Sequence, residues 1–163
     1  MRILTSLSLL LFVVGCATPE PAPVFTGPTA FISDSVIPED SMRGQVFYVD
    51  AIDGKRVDSA AQETRRSSAG KGLSLSLWSK LRQVEVRPMR LTLVGSHITG
   101  APIHELASRA AGTFFSVEGN VTFTPVAGKK YVVKGELKKS GSSVWLADEE
   151  TQQPVTPIIT NSK

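Results

Sequence analysis

Cysteine occurs once in the 163 residues, at Cys16. A single thiol forms no intramolecular disulfide, so the folded part must draw its stability from burial even in a compartment that permits bridges. Histidine is nearly as scarce, His97 and His104 being the only two, which leaves no His/Cys set of the kind that closes a zinc site. Charge of one sign is also missing. The formal net charge is +3, and the basic pairs Lys129-Lys130 and Lys138-Lys139 flank strand-like segments instead of forming one block, so no nucleic-acid footprint is present. Nor is there a run long enough to cross a bilayer. The longest apolar stretch, Ile3 to Val14, is interrupted by Thr5, Ser6 and Ser8 and at roughly 12 residues falls short of the ~20 that a spanning helix needs.

What that stretch does fit is an export signal. Met1-Arg2 supplies a positive start, the apolar run follows, and the chain then reads Val13-Val14-Gly15-Cys16. These four residues resemble the lipobox of bacterial lipoproteins, in which small or aliphatic residues expose the bond before a lipid-modified cysteine. The resemblance implies cleavage of residues 1–15, lipid on Cys16 and a membrane-anchored product. Ala17 follows where, by resemblance to the enteric sorting rule, Asp would favour the inner membrane; the expected location is therefore the outer membrane, facing the periplasm. Residues 16–28 carry Pro19, Pro21, Pro23 and Pro28 without apolar periodicity and read as a tether. At about 3.1 Å per residue, some ten residues hold a domain up to roughly 30 Å from the bilayer.

Beyond the tether, residues 29–157 read as one domain with a short tail over 158–163. The dominant period is two. Strands are expected over Thr29–Ser35, Gln45–Ile52, Leu73–Trp78, Gln83–Val94, Thr113–Val117, Asn120–Thr124, Lys130–Leu137 and Ser143–Ala147, with turns at Asp53-Gly54, Gly119-Asn120 and Ser140-Gly141. Short strands at this spacing with little helix between them predict a mainly β fold, an antiparallel β-sandwich of about seven to eight strands. One short helix is expected between Ala101 and Gly112, where Pro102 suits the first turn, Ile103, Leu106, Ala107 and Ala110 follow helical spacing, and Gly112 suits the end. Ser59-Ala60-Ala61-Gln62 has capping-box form, but the stretch 58–71 lacks an apolar face and reads mostly as loop.

Catalytic patterns do not assemble. His104-Glu105 opens like a zinc-protease motif, yet position 108 is Ser where a second His is needed. Ser67-Ser68-Ala69-Gly70-Lys71-Gly72 lacks both the earlier glycine and the hydroxyl residue of a phosphate loop, and Ser68-x-x-Lys71 has no Lys-Thr-Gly companion. Leu106-Ala107-Ser108-Arg109-Ala110 resembles five residues of a peptidoglycan-binding helix, without the Asn and Asp that complete that site. No catalytic residue, metal ligand or cofactor is assigned.

The C-terminal third carries Gly128, Tyr131-Val132-Val133-Lys134-Gly135-Glu136-Leu137, Ser142-Ser143-Val144-Trp145-Leu146 and Asp148, and further upstream stand Gly95-Ser96-His97 and Ala101-Pro102-Ile103. This pattern is similar to that of small uncharacterised lipoproteins of Gram-negative bacteria. The resemblance covers roughly residues 45–155, implies the β-rich mature domain and the envelope location, and supplies no catalytic residue.

The expected role is therefore a non-catalytic accessory or binding module of the cell envelope, its partners the membrane through Cys16 and an envelope protein or glycan. The alternative is an envelope hydrolase acting on cell wall or lipid through His97, His104, Glu105 or Asp148, which requires those four side chains to converge. A two-residue turn at Ser140-Gly141 would set Glu136 opposite Trp145, place Tyr131, Val133, Leu137, Val144 and Leu146 in the core, and leave Trp145 partly exposed beside Lys134 and Glu136 as a candidate partner-binding anchor.

Overall fold

The computed structural model describes residues 25–161; the leader, Cys16 and most of the tether lie outside the described residues. Within them the chain is mainly β, with ten strands in two sheets and two helices. The strands are β1 (Thr29–Ser33), β2 (Ser35–Pro38), β3 (Arg43–Ile52), β4 (Lys55–Arg56), β5 (Leu81–Glu85), β6 (Met89–Thr99), β7 (Ser116–Phe123), β8 (Lys130–Glu136), β9 (Ser142–Asp148) and β10 (Ile159–Asn161). The helices are α1 (Ala60–Ser68) and α2 (Pro102–Ala110). One sheet runs β10-β9-β8-β1-β5, the other β2-β3-β6-β7 with β4 hung on β3. All pairings are antiparallel except β1 with β8, where a strand from each end of the chain lies side by side.

The inward positions of both sheets form a single apolar cluster. Ala30 and Ile32 of β1, Val133 of β8 and Leu146 of β9 meet Phe47 and Val49 of β3 and Leu91 and Leu93 of β6, all eight fully buried. Phe47 is the centre. Its ring lies over Gly95, its register partner on β6, and over Gly135 on the opposite sheet, and a Cβ at either glycine would come within 2.9 Å or 2.5 Å of that ring. Both sheets thus give up a side chain where one large aromatic fills the space between them. A smaller apolar cluster covers the outer face of the second sheet, where Ala61 of α1 and the loop residues Leu75 and Leu77 pack on Val46 and Ile98.

The chain changes sheets at Asp34, between β1 and β2. The buried carboxylate accepts the backbone N–H of Val49 (3.1 Å) and of Ala60 (2.8 Å) and is bracketed by the Arg82 guanidinium at 2.6 and 2.7 Å. One side chain therefore ties β3, the start of α1 and β5 to the corner. On the other flank, β10 bonds to β9 while Ile159 packs against Gly119 of β7 and the Asn161 amide donates to the Ser116 carbonyl oxygen.

Several sequence expectations change. Residues 60–68 are helical, not loop: Ser59 caps α1 with the reciprocal Gln62 bond, and the buried face consists of Ala60, Ala61, Thr64 and Ser68, too small and polar to register as an apolar stripe. Leu73–Trp78 joins no sheet and is not a strand; its Leu75, Ser76 and Trp78 N–H groups donate instead to the Ser41 carbonyl and the Ser68 and Thr64 hydroxyls. Gln83–Val94 divides at Arg87-Pro88 into β5 and β6, and Thr113–Val117 merges with Asn120–Thr124 into β7, so Gly119-Asn120 lies inside a strand instead of turning it. Ile159–Asn161 forms β10 within the stretch read as tail. The Asp53-Gly54 turn is present, with positive φ at both residues (51° and 79°).

Candidate functional site

β6 divides the molecule into two poles. At its start, the turn residue Val86 donates to the carbonyl of Pro28, so the chain enters the domain there, beside Met89 and Phe123. At its end, Thr99 and Gly100 lead into α2. Eleven residues at about 3.4 Å each separate the poles by roughly 35 Å.

A cleft lies at the far pole. It has a volume of about 500 Å³ and a largely apolar lining. One wall is the last turn of α1, with Arg65, Ser68 and Ala69; the other is the face of α2 carrying Pro102, Glu105, Leu106 and Arg109; Thr99 and Gly100 form the floor. The floor is close-packed, because the Leu73 and Ser74 backbone lies where a Cβ on Gly100 would go. Helix α2 buries none of its residues, and Ile103 and Leu106 are each 64% exposed. The apolar spacing that predicts a short helix between Ala101 and Gly112 is thus matched by α2.

The cleft charges are arranged unevenly. Arg109 donates from Nε and Nη2 to the same Glu105 oxygen, at 3.1 and 2.8 Å, and its guanidinium stacks 3.9 Å from the Phe114 ring centre. Arg65, on the opposite wall, reaches no nearer than 3.8 Å to the other Glu105 oxygen, beyond hydrogen-bond range. Two guanidiniums therefore share one carboxylate, and one of them keeps its donors open to solvent.

His97 lies beneath this pole and is 2% exposed. Its Nδ1 accepts the Phe115 N–H at 2.9 Å and its Nε2 is 3.1 Å from Glu39 Oε1. The backbone donor fixes the neutral tautomer: Nδ1 is bare and Nε2 carries the proton toward Glu39. Burial, then the neighbouring Arg43 charge, hold the imidazole pKa below its ordinary value against the opposing pull of Glu39. Arg43 Nε stands 2.7 Å from Glu39 Oε2 but out of line for a hydrogen bond, so that contact is electrostatic, while Arg43 Nη2 donates to the Thr113 carbonyl. Both ring nitrogens of His97 are thereby committed to structure.

The four side chains required by a hydrolase do not share a pocket. His97 is inside the second sheet, His104 and Glu105 ride on α2, and Asp148 is on β9 of the other sheet, paired with Lys129. Among the described residues no three His, Cys, Asp or Glu side chains group as metal ligands, and no helix is long and apolar enough to cross a membrane.

The β8–β9 hairpin keeps its predicted faces but not its predicted register. Lys134, not Glu136, is opposite Trp145, a slip of two positions that preserves alternation. Tyr131, Val133, Leu137, Val144 and Leu146 are all buried as expected. Trp145 is half-buried on the outer face, its Nε1 covered and without a hydrogen-bond partner. Lys134 beside it donates to Gln152 at 2.6 Å, and Glu136 is exposed and pairs with Lys138. Of the cleft residues, Arg65 falls in the stretch read as loop, and Arg109 stands out in the sequence only through the five-residue resemblance of 106–110 to a peptidoglycan-binding helix. Comparison with family models, with curated proteins and with solved structures finds no match.

Proposed function

We propose that this chain is a cell-envelope lipoprotein, anchored to the outer membrane through lipid on Cys16, whose β-sandwich domain is a non-catalytic binding module that presents the α1–α2 pole to a partner in the periplasm. The observation that carries the reading is the uncovered helix α2 beside an apolar cleft. A nine-residue helix with no fully buried residue, only His104, Glu105 and Ser108 being partly covered, has little of the tertiary packing that normally stabilises so short a segment, and large exposed apolar side chains around a cleft mark interaction surfaces. His97 offers no free nitrogen to a substrate, and the remaining candidate catalytic groups are dispersed, which favours binding over hydrolysis. The entry of the chain at the opposite pole fits a tethered module, because a bilayer attached there leaves the cleft facing away from the membrane.

The test is lipid labelling and fractionation of the full chain in a Gram-negative host. Wild-type protein is expected to take up labelled palmitate and to float with outer-membrane vesicles, and Cys16→Ser to lose the label and remain an unprocessed precursor. Labelled, membrane-bound Cys16→Ser protein would remove the anchor from the proposal.

A further inference from the structure

We infer that the α1–α2 cleft binds an extended acidic peptide segment carrying at least one aliphatic side chain, with Arg65 and Arg109 taking the carboxylates and Leu106 and Ala69 the aliphatic group. The inference rests on the binding-module reading above and adds to it the site and the chemistry of its partner.

Charge selects the sign of the ligand. Arg65 and Arg109 face one carboxylate, Glu105, so the cleft retains one positive charge. The adjacent Arg66 is already faced by Glu63 at 3.6 Å and Asp58 at 3.8 Å, and does not line the cleft. Arg109 is held in place from two sides, by Glu105 below and by the Phe114 ring. Among the described residues Arg65 comes no nearer to a carboxylate than 3.8 Å, and it stands 59% exposed at the rim. A fixed guanidinium facing a free one across an apolar trough suits a carboxylate, since the planar fork of arginine matches two carboxylate oxygens.

Shape selects the class. A cleft about half open to solvent does not enclose an acyl chain or a small molecule, which are bound by burying most of their surface. A peptide side chain needs only to be seated locally, with its backbone running over the rim. Leu106 lies within the wall and Ile103 is one helix position round, so successive apolar contacts are available along α2. Position argues against lipid as well. The cleft is roughly 35 Å from the pole where the chain enters the domain, so the membrane to which the tether leads is not the surface it meets.

The experiment follows backbone amide shifts of the isotope-labelled full chain in detergent micelles on addition of the peptide Glu-Leu-Glu-Leu-Glu, its Lys-Leu-Lys-Leu-Lys counterpart, or detergent-stable bicelles containing phosphatidylglycerol. The acidic peptide is expected to bind saturably, with shifts centred on Ala69, Gly100 and Leu106. Reversing the exposed Arg65 to Glu is expected to weaken it about tenfold or more, the scale of a lost charge-assisted contact. Arg65→Gln is expected to give a smaller loss with an unchanged fold, as read by the remaining amide shifts. Absence of saturable binding, binding of the basic peptide with equal affinity, or preference of the cleft for phosphatidylglycerol would each overturn the inference. Peptide shifts centred on Trp145 and Lys134, unmoved by Arg65→Glu, would overturn it and with it the choice of the α1–α2 pole, while leaving the chain a binding module that uses the β8–β9 face. The labelling of Cys16 is unaffected by any of these results.

Discussion

Phe47 offers the sharpest quantitative test of the architecture, because its ring is shared by two glycines whose remaining neighbours differ in kind. At Gly95 an added Cβ meets Phe47 Cδ1 at 2.9 Å, Phe47 Cε1 at 3.0 Å and Val117 Cγ1 at 3.2 Å, all side-chain atoms. At Gly135 it meets the Phe47 ring at 2.5 Å and also the Ser143 carbonyl oxygen, which belongs to the backbone of the paired strand. Overpacking a close-packed core typically costs about 1 to 3 kcal/mol. Gly95→Ala is expected in the lower half of that range, since a ring can tilt, and Gly135→Ala at its upper end or beyond, since a ladder strand cannot.

Shrinking the ring separates the two cases. Phe47→Leu alone is expected to cost about 1 to 2 kcal/mol in lost burial. Combined with Gly95→Ala it should restore part of the space, giving a favourable coupling of about 1 kcal/mol, within the span seen for touching residues. Combined with Gly135→Ala it should recover clearly less, because the Ser143 oxygen remains. Urea unfolding followed by far-ultraviolet circular dichroism measures both cycles, provided that the slope with denaturant stays constant among variants. Equal coupling in the two cycles, or wild-type stability for Gly135→Ala, would refute the placement of Phe47 between the sheets.

Asp34→Ala should destabilise by about 3 to 5 kcal/mol, the usual result of leaving a buried guanidinium without its carboxylate, and a chemical melt that shows less than about 1 kcal/mol would contradict the corner described for Arg82. Ser59→Ala should cost about 1 kcal/mol through loss of the α1 cap, with Ser59→Asp retaining most of the stability in the same melt. For His97, whose folded pKa lies below its ordinary 6.5, the unfolded chain takes up the proton first; stability is therefore complete above about pH 6.5 and falls as the pH drops toward the folded pKa. His97→Gln should flatten that decline, and an unfolding midpoint that rises on acidification across the same window would reverse the sign.

How much of this is legible from sequence depends on the range of the interaction concerned. Alternation in Leu73, Leu75 and Leu77 predicts a strand, yet this segment joins neither sheet, with Leu75 and Leu77 lending their side chains to the outer face of the second sheet. Alternation reports one-sided burial, and a covering loop has that property as fully as a ladder strand does. Helix α1 fails in the opposite sense: its capping box is visible, but its buried face of Ala, Thr and Ser has no hydrophobic contrast. Asp34 gives no sign at all, because Arg82 and the Val49 and Ala60 amides that define its role are 48, 15 and 26 residues away.

The hairpin of β8 and β9 shows where the limit falls within a single element. A register slip of two leaves every side chain on its predicted face, since faces alternate with period two. For that reason the five core residues are correct even though Glu136 is not opposite Trp145. Exposure is a different quantity. Exposure of an outward residue depends on contacts beyond its own strand pair, and here the segment after β9 returns alongside the hairpin: Ala147 bridges to Pro154, and Gln152 takes the ammonium of Lys134, the residue opposite Trp145. Trp145 is outward by parity and half-buried. On α2, by contrast, Ile103 and Leu106 follow the helical spacing that predicts the element and yet stand 64% exposed, because spacing identifies a helix without saying what packs on it.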